Sequence, residues 1–301
     1  MKISFDQLPQ LPELSLLAKK LVEGFITGLH KSPFHGFSVE FAEHRLYNIG
    51  ESTKHIDWKV YARTDRLYTK QYDEETNLRA YLLIDNSSSM YYPTESKAKI
   101  KFSVIAAACI AQLLQKQRDA VGLISFSDKI DLFTEVKSTK AHLINLFNHL
   151  QTIYAQTQSL KQTQLSDNIH LIAEKIHKRS LVIVFSDLIA SNESLDTFFQ
   201  SIQHLKHKKH EVLFFQINHQ ETELSFNLED RPYLIEDLES GEKIKLNPYE
   251  VKEYYQRQSE KYFQEVSLRC QQYKIDLTKV DVNDDIEKVM GAFLIKRSKM
   301  R

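Results

Sequence analysis

From residue 79 onward short apolar runs alternate with helical patterns of ten or more residues, and this alternation constrains the fold more than any other feature. RAYLLID is followed by a helical pattern from about Ser96 to Gln117, then by the runs AVGLISF and IDLFTEV. A helix around 140 to 150, a polar stretch, a helix from Ser166 to His177 and the run LVIVFSD come next. A helix near 193 to 207 precedes EVLFFQI, and residues 220 to 247 read as a hairpin excursion around Glu239-Ser240-Gly241-Glu242. A long helix from about Asn247 to Gln272, the strand YKIDLTKVDV and a helix from Asp284 to Lys296 close the pattern. This order predicts an α/β fold: a doubly wound, mostly parallel sheet with right-handed crossovers.

The first third reads differently. Apolar positions recur at helical spacing over residues 12 to 30, with Leu16, Leu17, Leu21 and Phe25 expected to face inward. Between Ser32 and Glu75 the segments FSVEF, HIDWKVYA and RLYTKQY, rich in aromatic and β-branched residues, predict a small β-rich region. Trp58, Tyr61, Tyr68 and Tyr72 are expected to form its aromatic core. The expected division is 1–78, helix plus β-rich region, and 79–301, the α/β domain with its hairpin insertion.

Charge and punctuation narrow the function. The 301 residues carry 40 basic and 40 acidic side chains, so no global field draws the chain to nucleic acid or to an anionic membrane. With 7 Gly and 6 Pro there is no composition for long flexible linkers. Cys109 and Cys270 form no CxxC pair, which suits a reducing compartment. No apolar leader and no uninterrupted apolar stretch of the ~18 residues a membrane span needs is found, so a soluble, cytoplasmic protein is expected. Gly24 and Gly28 form a GxxxG, which has meaning chiefly in membranes. His35 and His44, with Glu40 and Glu43, match no zinc spacing, and the run HLKHKKH from His204 to His210 reads as a solvated helix end. Neither GxxxxGK nor GxGxxG occurs, and no GxSxG elbow surrounds the serines, so nucleotide binding and serine hydrolysis are not expected.

The chemistry concentrates where two strands end. YLLID closes on Asp85 and LVIVFSD closes on Asp187. In open α/β sheets ligands bind beyond the carboxyl ends of the strands, where strand order reverses. Ser87 and Ser89 follow Asp85 at spacing that turns their hydroxyls back toward it, and Thr163 sits in the polar loop before the helix at Ser166. Two carboxylates and three hydroxyls make an oxygen-only set suited to a hard cation, best Mg2+, with Mn2+ possible. Such a set leaves the cation electrophilic, favouring a partner's Asp or Glu over a nucleophilic water.

Asp85-x-Ser87-x-Ser89, with Thr163 and Asp187 downstream, resembles the metal-ion-dependent adhesion site (MIDAS) of von Willebrand factor type A domains. The run HGFSVEFAEHRLYNIGESTKHIDWKVYARTDRLYTKQYDEETNLRAYLLIDNSSSM is similar to the bacterial "domain of unknown function 58" family, in which it precedes a type A domain. The resemblance implies a non-enzymatic adaptor that works with a MoxR-type AAA+ ATPase in chaperone-like assembly or activation of a client protein. The competing expectation is a magnesium-dependent phosphoesterase, since strand-end aspartates can hold a metal that activates water. Against it stands the lack of a general base or a phosphate-gripping arginine beside the set.

Overall fold

The structure is a computed structural model that describes residues 11–28, 41–48, 53, 56–72, 78–156, 163–189 and 194–299. It divides into two compact units, one of residues 34–78 and one of residues 1–33 with 79–301.

Helix α1 (Leu11–Gly28) belongs to the larger unit, although the sequence pattern grouped it with the β-rich region. Its buried residues Leu14, Leu17, Ala18, Leu21 and Val22 recur at helical spacing and form one stripe. Leu16, expected inward, is 51% exposed because it falls off that stripe, and the side chain of Phe25 lies outside the described residues.

The small unit holds β1 (Phe41–Leu46), α2 (Trp58–Thr64) and β2 (Tyr68–Tyr72), with β1 and β2 antiparallel. The segment HIDWKVYA, expected to be extended, is therefore largely helical. Asp57 overrides the β-favouring composition: its carboxylate caps the helix by accepting from the N–H groups of Lys59 and Val60, at 3.0 and 3.2 Å. Trp58 and Tyr61 meet edge to face on the exposed side of α2 rather than in a core, with Trp58 61% exposed. The side chain of Tyr72 lies outside the described residues, as do His35, Glu40 and the side chains of Glu43 and His44.

In the larger unit the chain runs β3 (Arg79–Asp85), α3 (Ala98–Lys116), β4 (Ala120–Phe126), β5 (Ile130–Phe133), α4 (Lys140–Ala155), α5 (Leu165–Lys175), β6 (Leu181–Ser186), α6 (Leu195–His207) and β7 (Glu211–Asn218). The hairpin β8 (Tyr233–Glu236) and β9 (Lys243–Leu246), then α7 (Pro248–Gln272), β10 (Asp276–Asp281) and α8 (Ile286–Lys299), complete it. Six strands form one sheet in the order β10-β7-β6-β3-β4-β5, parallel throughout except for β5. The expected doubly wound, mostly parallel sheet is thus present, with the last strand-helix pair closing it.

Strand parity sends alternate residues to two helical layers. Tyr81 and Leu83 of β3, Val182 and Val184 of β6, and Val212 and Phe214 of β7 pack with α5, α6 and α7. On the other face α1, α3, α4 and α8 pack together, and Phe215 of β7 meets Phe185 and Phe293, with ring centroids 5.0 and 4.7 Å apart. α3 is long and apolar enough to cross a bilayer, but most of it is buried as the central helix of this layer. His210, expected on a solvated helix end, is buried at the start of β7, where Nδ1 accepts the Ser180 N–H at 3.1 Å. Burial holds its pKa down at about 4.

β3 is the hinge of the winding. The chain leaves it through α3 to β4 on one side and returns through β6 on the other, so strand order reverses between β3 and β6. A crevice beyond their carboxyl ends follows from that topology.

Candidate metal centre

Both loops at this switch point use the same local device. The Ser87 N–H donates to Asp85 Oδ1 at 3.0 Å, and the Ile189 N–H donates to Asp187 Oδ1 at 3.1 Å. Each aspartate thus turns the backbone two residues onward with one oxygen and leaves its second for a donor from another element. After Asp85 a single 3-10 turn, Ser88–Tyr91, closes through Met90 N–H to Ser87 O at 3.2 Å. That turn brings the Ser87 and Ser89 hydroxyl oxygens to 3.1 Å.

Thr163 reaches the crevice from the neighbouring strand end. The following N–H, of Gln164, donates to Ser127 O at 3.1 Å, and the Asn168 side-chain amide donates to the same carbonyl at 2.9 Å. The loop before α5 is thereby tied to the end of β4, and Thr163 is buried.

The crevice contains residues that the sequence did not single out as site members. The Ser186 hydroxyl donates to Asp85 Oδ2 at 2.7 Å and accepts the Leu188 N–H at 3.0 Å, joining the two loops. Lys99, in the first turn of α3, is fully buried and donates to Asp187 Oδ2 at 2.9 Å and to Glu223 Oε1 at 2.5 Å. Glu223, in the short helical turn Gln220–Leu224 after β7, also accepts the His219 N–H at 2.8 Å. Glu239, in the turn of the β8–β9 hairpin, accepts the Thr163 hydroxyl at 2.9 Å and the Thr163 N–H at 3.2 Å. The Ser89 hydroxyl acts on the same carboxylate, opposing the rise of its pKa.

These contacts link all five predicted residues. Ser87 bonds Asp85 and lies against Ser89, Ser89 acts on Glu239, and Glu239 bonds Thr163. Asp187 acts on both Asp85 and Glu239 through its charge.

The electrostatics are uneven. Burial, and after it the charge of Asp187, push Asp85 up to about 7 against the hydrogen bonds of Ser87 and Ser186. Burial likewise raises Glu239, with Asp187 adding to it and the bonds from Thr163 and Ser89 opposing. Burial disfavours the charge on Lys99, but Asp187 and Glu223 more than offset that and hold its pKa above the ordinary lysine value. Among the described residues no ion pair reaches Asp85 or Glu239.

Among the described residues no three His, Cys, Asp or Glu side chains gather as a metal-holding group, so a cation here would depend on hydroxyl ligands. The oxygen set fits a small hard cation on one geometric count. An octahedral ion with ligands at about 2.0–2.1 Å has neighbouring ligands about 3 Å apart. The Ser87 and Ser89 oxygens stand at 3.1 Å. If Ser87 donates its proton to Asp85 and Ser89 donates to Glu239, lone pairs of both oxygens are left to face a common point.

A doubly wound α/β domain with a buried carboxylate and hydroxyl crevice at its switch point is the class these features define. The chain belongs to the family described as "Protein of unknown function DUF58", whose model matches residues 43–265. It is similar to the uncharacterized protein Rv1480 of Mycobacterium tuberculosis, at 24% identity over 179 residues covering 60% of this chain and 56% of that protein. The chain therefore spans little more than half the length of that relative. Among solved structures it is similar to the conserved hypothetical protein BatB from Bacteroides thetaiotaomicron, with TM-score 0.43, 15% identity, and coverage of 74% of this chain and 99% of that one. A von Willebrand factor type A protein from Catenulispora acidiphila is also similar, with TM-score 0.42, 10% identity, and coverage of 77% and 43%.

Proposed function

We propose that this protein is a non-enzymatic, metal-dependent adaptor that captures a carboxylate of a partner protein at the β3–β6 switch point. Asp85, Ser87, Ser89, Thr163 and Asp187 would hold Mg2+, or Mn2+, directly or through water. The observation that carries this reading is a pair of buried strand-end aspartates that interact through charge, with Asp85 bonded to Ser87 and the Ser87 and Ser89 hydroxyls 3.1 Å apart. Bound magnesium supplies a hard, electrophilic centre with a position open to exchange.

The chain's own residues prepare that centre. Ser186 and the Ser87 N–H orient Asp85, and Lys99 fixes Asp187 and partly balances the crevice charge. Among the described residues Asp85 is a buried carboxylate served by neutral donors, and a divalent cation would relieve its cost. Lys99 is fully buried and bonded to Asp187 and Glu223, which supports a structural role for it over gripping a substrate phosphate. From the family resemblance, the partner is a MoxR-type AAA+ ATPase acting on a client in a reducing, cytoplasmic setting.

The test is affinity purification from host lysate in magnesium and again in chelator, beside Asp85→Ala. Recovery of a MoxR-type ATPase or its client only with magnesium and only with Asp85 supports the reading. Equal recovery in every lane contradicts it.

A further inference from the structure

The hairpin of β8 and β9 sends an acidic side chain into the crevice, and the proposed function leaves that unused. A glutamate at a hairpin tip ordinarily points to water, since burying a carboxylate without a cation costs free energy. Glu239 is only 6% exposed. Its turn is built to hold it: Asp237 accepts the Glu239 N–H at 2.9 Å and the Ser240 hydroxyl at 2.6 Å. The Gly241 N–H closes onto Asp237 O at 2.8 Å, with Gly241 at φ 74°, a left-handed conformation that glycine adopts without strain.

The carboxylate so placed accepts from one predicted ligand, Thr163, and a second, the Ser89 hydroxyl, acts on it. These are hydroxyls that would face an incoming carboxylate. Asp187, whose charge would repel any unneutralised anion there, acts on Glu239 as well. Four carboxylates, Asp85, Asp187, Glu223 and Glu239, share the crevice, and the salt bridges among the described residues supply it one cation, Lys99.

We propose that Glu239 is a ligand in cis: the hairpin tip occupies the position that a partner's carboxylate takes, so the β8–β9 turn latches the metal site and partner docking requires Glu239 to leave. This rests on the adaptor reading above and adds a ligand and a competition to it. The latch makes partner capture an exchange of one carboxylate for another at a retained cation. An incoming acid must therefore outcompete a tethered one at high effective concentration.

The test uses Mn2+ as probe, titrated into the full chain and followed by water-proton relaxation, which reads both affinity and the number of exchangeable waters on the ion. Wild type is compared with Glu239→Ala and with the near-isosteric Glu239→Gln, each checked for an unchanged melting transition. The expected result is Mn2+ affinity weakened by about tenfold or more in Glu239→Ala, the scale on which loss of a supporting group at a metal site acts. Relaxation per bound ion should rise, because water replaces the lost carboxylate. Added acetate should lower that relaxation in Glu239→Ala and leave wild type unchanged. Equal affinity and equal water count in wild type and both variants would overturn the latch while the metal reading stands. Absence of Mn2+ binding in wild type and variants alike would overturn both.

Discussion

Asp85 and Asp187 end neighbouring strands, use the same turn, and lie fully buried, yet the protein treats them in opposite ways. Asp187 is given a buried lysine, and Asp85 is given serines and a backbone amide. A charge paired in the interior is locked, because removing its partner strands it. A charge held by neutral donors keeps an unmet demand, here expressed as a carboxyl raised to about 7. One side of the crevice is therefore a fixed frame, and the other is poised for a ligand.

The sharpest way to break this comparison is on the paired side. Lys99→Met should cost about 3–5 kcal/mol of folding stability, measured by denaturant unfolding in chelator, since it leaves Asp187 and Glu223 facing each other unpaired. A loss below about 1 kcal/mol would remove the claim that Lys99 is the frame.

Next comes Asp187→Asn, which keeps the turn but leaves Lys99 with Glu223 alone; a loss of about 1.5–3 kcal/mol is expected. The matched change Asp85→Asn should leave chelated stability at or above wild type at neutral pH, because it removes a repelled charge. Similar losses from the two substitutions would erase the asymmetry.

The remaining test is a slope. Because Asp85 in the folded chain titrates near 7, above its ordinary carboxylate value of 3.8, its contribution to stability is fully present below that ordinary value. That contribution is lost as pH rises toward about 7. In chelator, the difference in unfolding free energy between wild type and Asp85→Asn should therefore drift against wild type as pH is raised from 4 to 7. A drift in the other direction would mean that Asp85 is stabilised as an anion by a partner absent from this crevice.

Much of the frame could be read from the chain because buried parallel strands are continuous apolar runs, and an aspartate ending such a run is conspicuous. YLLID and LVIVFSD needed only the switch-point rule to place Asp85 and Asp187 side by side. Ser186 was legible in the same run, one residue before Asp187, but its hydroxyl was not assigned to Asp85. Lys99 and Glu239 left weaker marks. A lysine in AKIKFSVIAAACIA reads as the polar edge of an apolar helix, and a glutamate in DLESGE reads as an exposed turn. Both are buried because tertiary structure brings opposite charges or hydroxyls to them, which no local pattern encodes. The helix at Trp58–Thr64 was missed for the converse reason, since one capping aspartate outweighed a β-favouring composition.

The most direct measurement is calorimetric titration of Mg2+ into the wild-type chain at pH 8, repeated with Asp85→Asn. One saturable site per chain is expected in wild type, with at least a tenfold loss of affinity in Asp85→Asn, comparable to loss of a supporting metal-site residue. Absence of a binding isotherm in wild type, or the same isotherm in both, would contradict the claim that the unpaired side of this crevice is made for a cation.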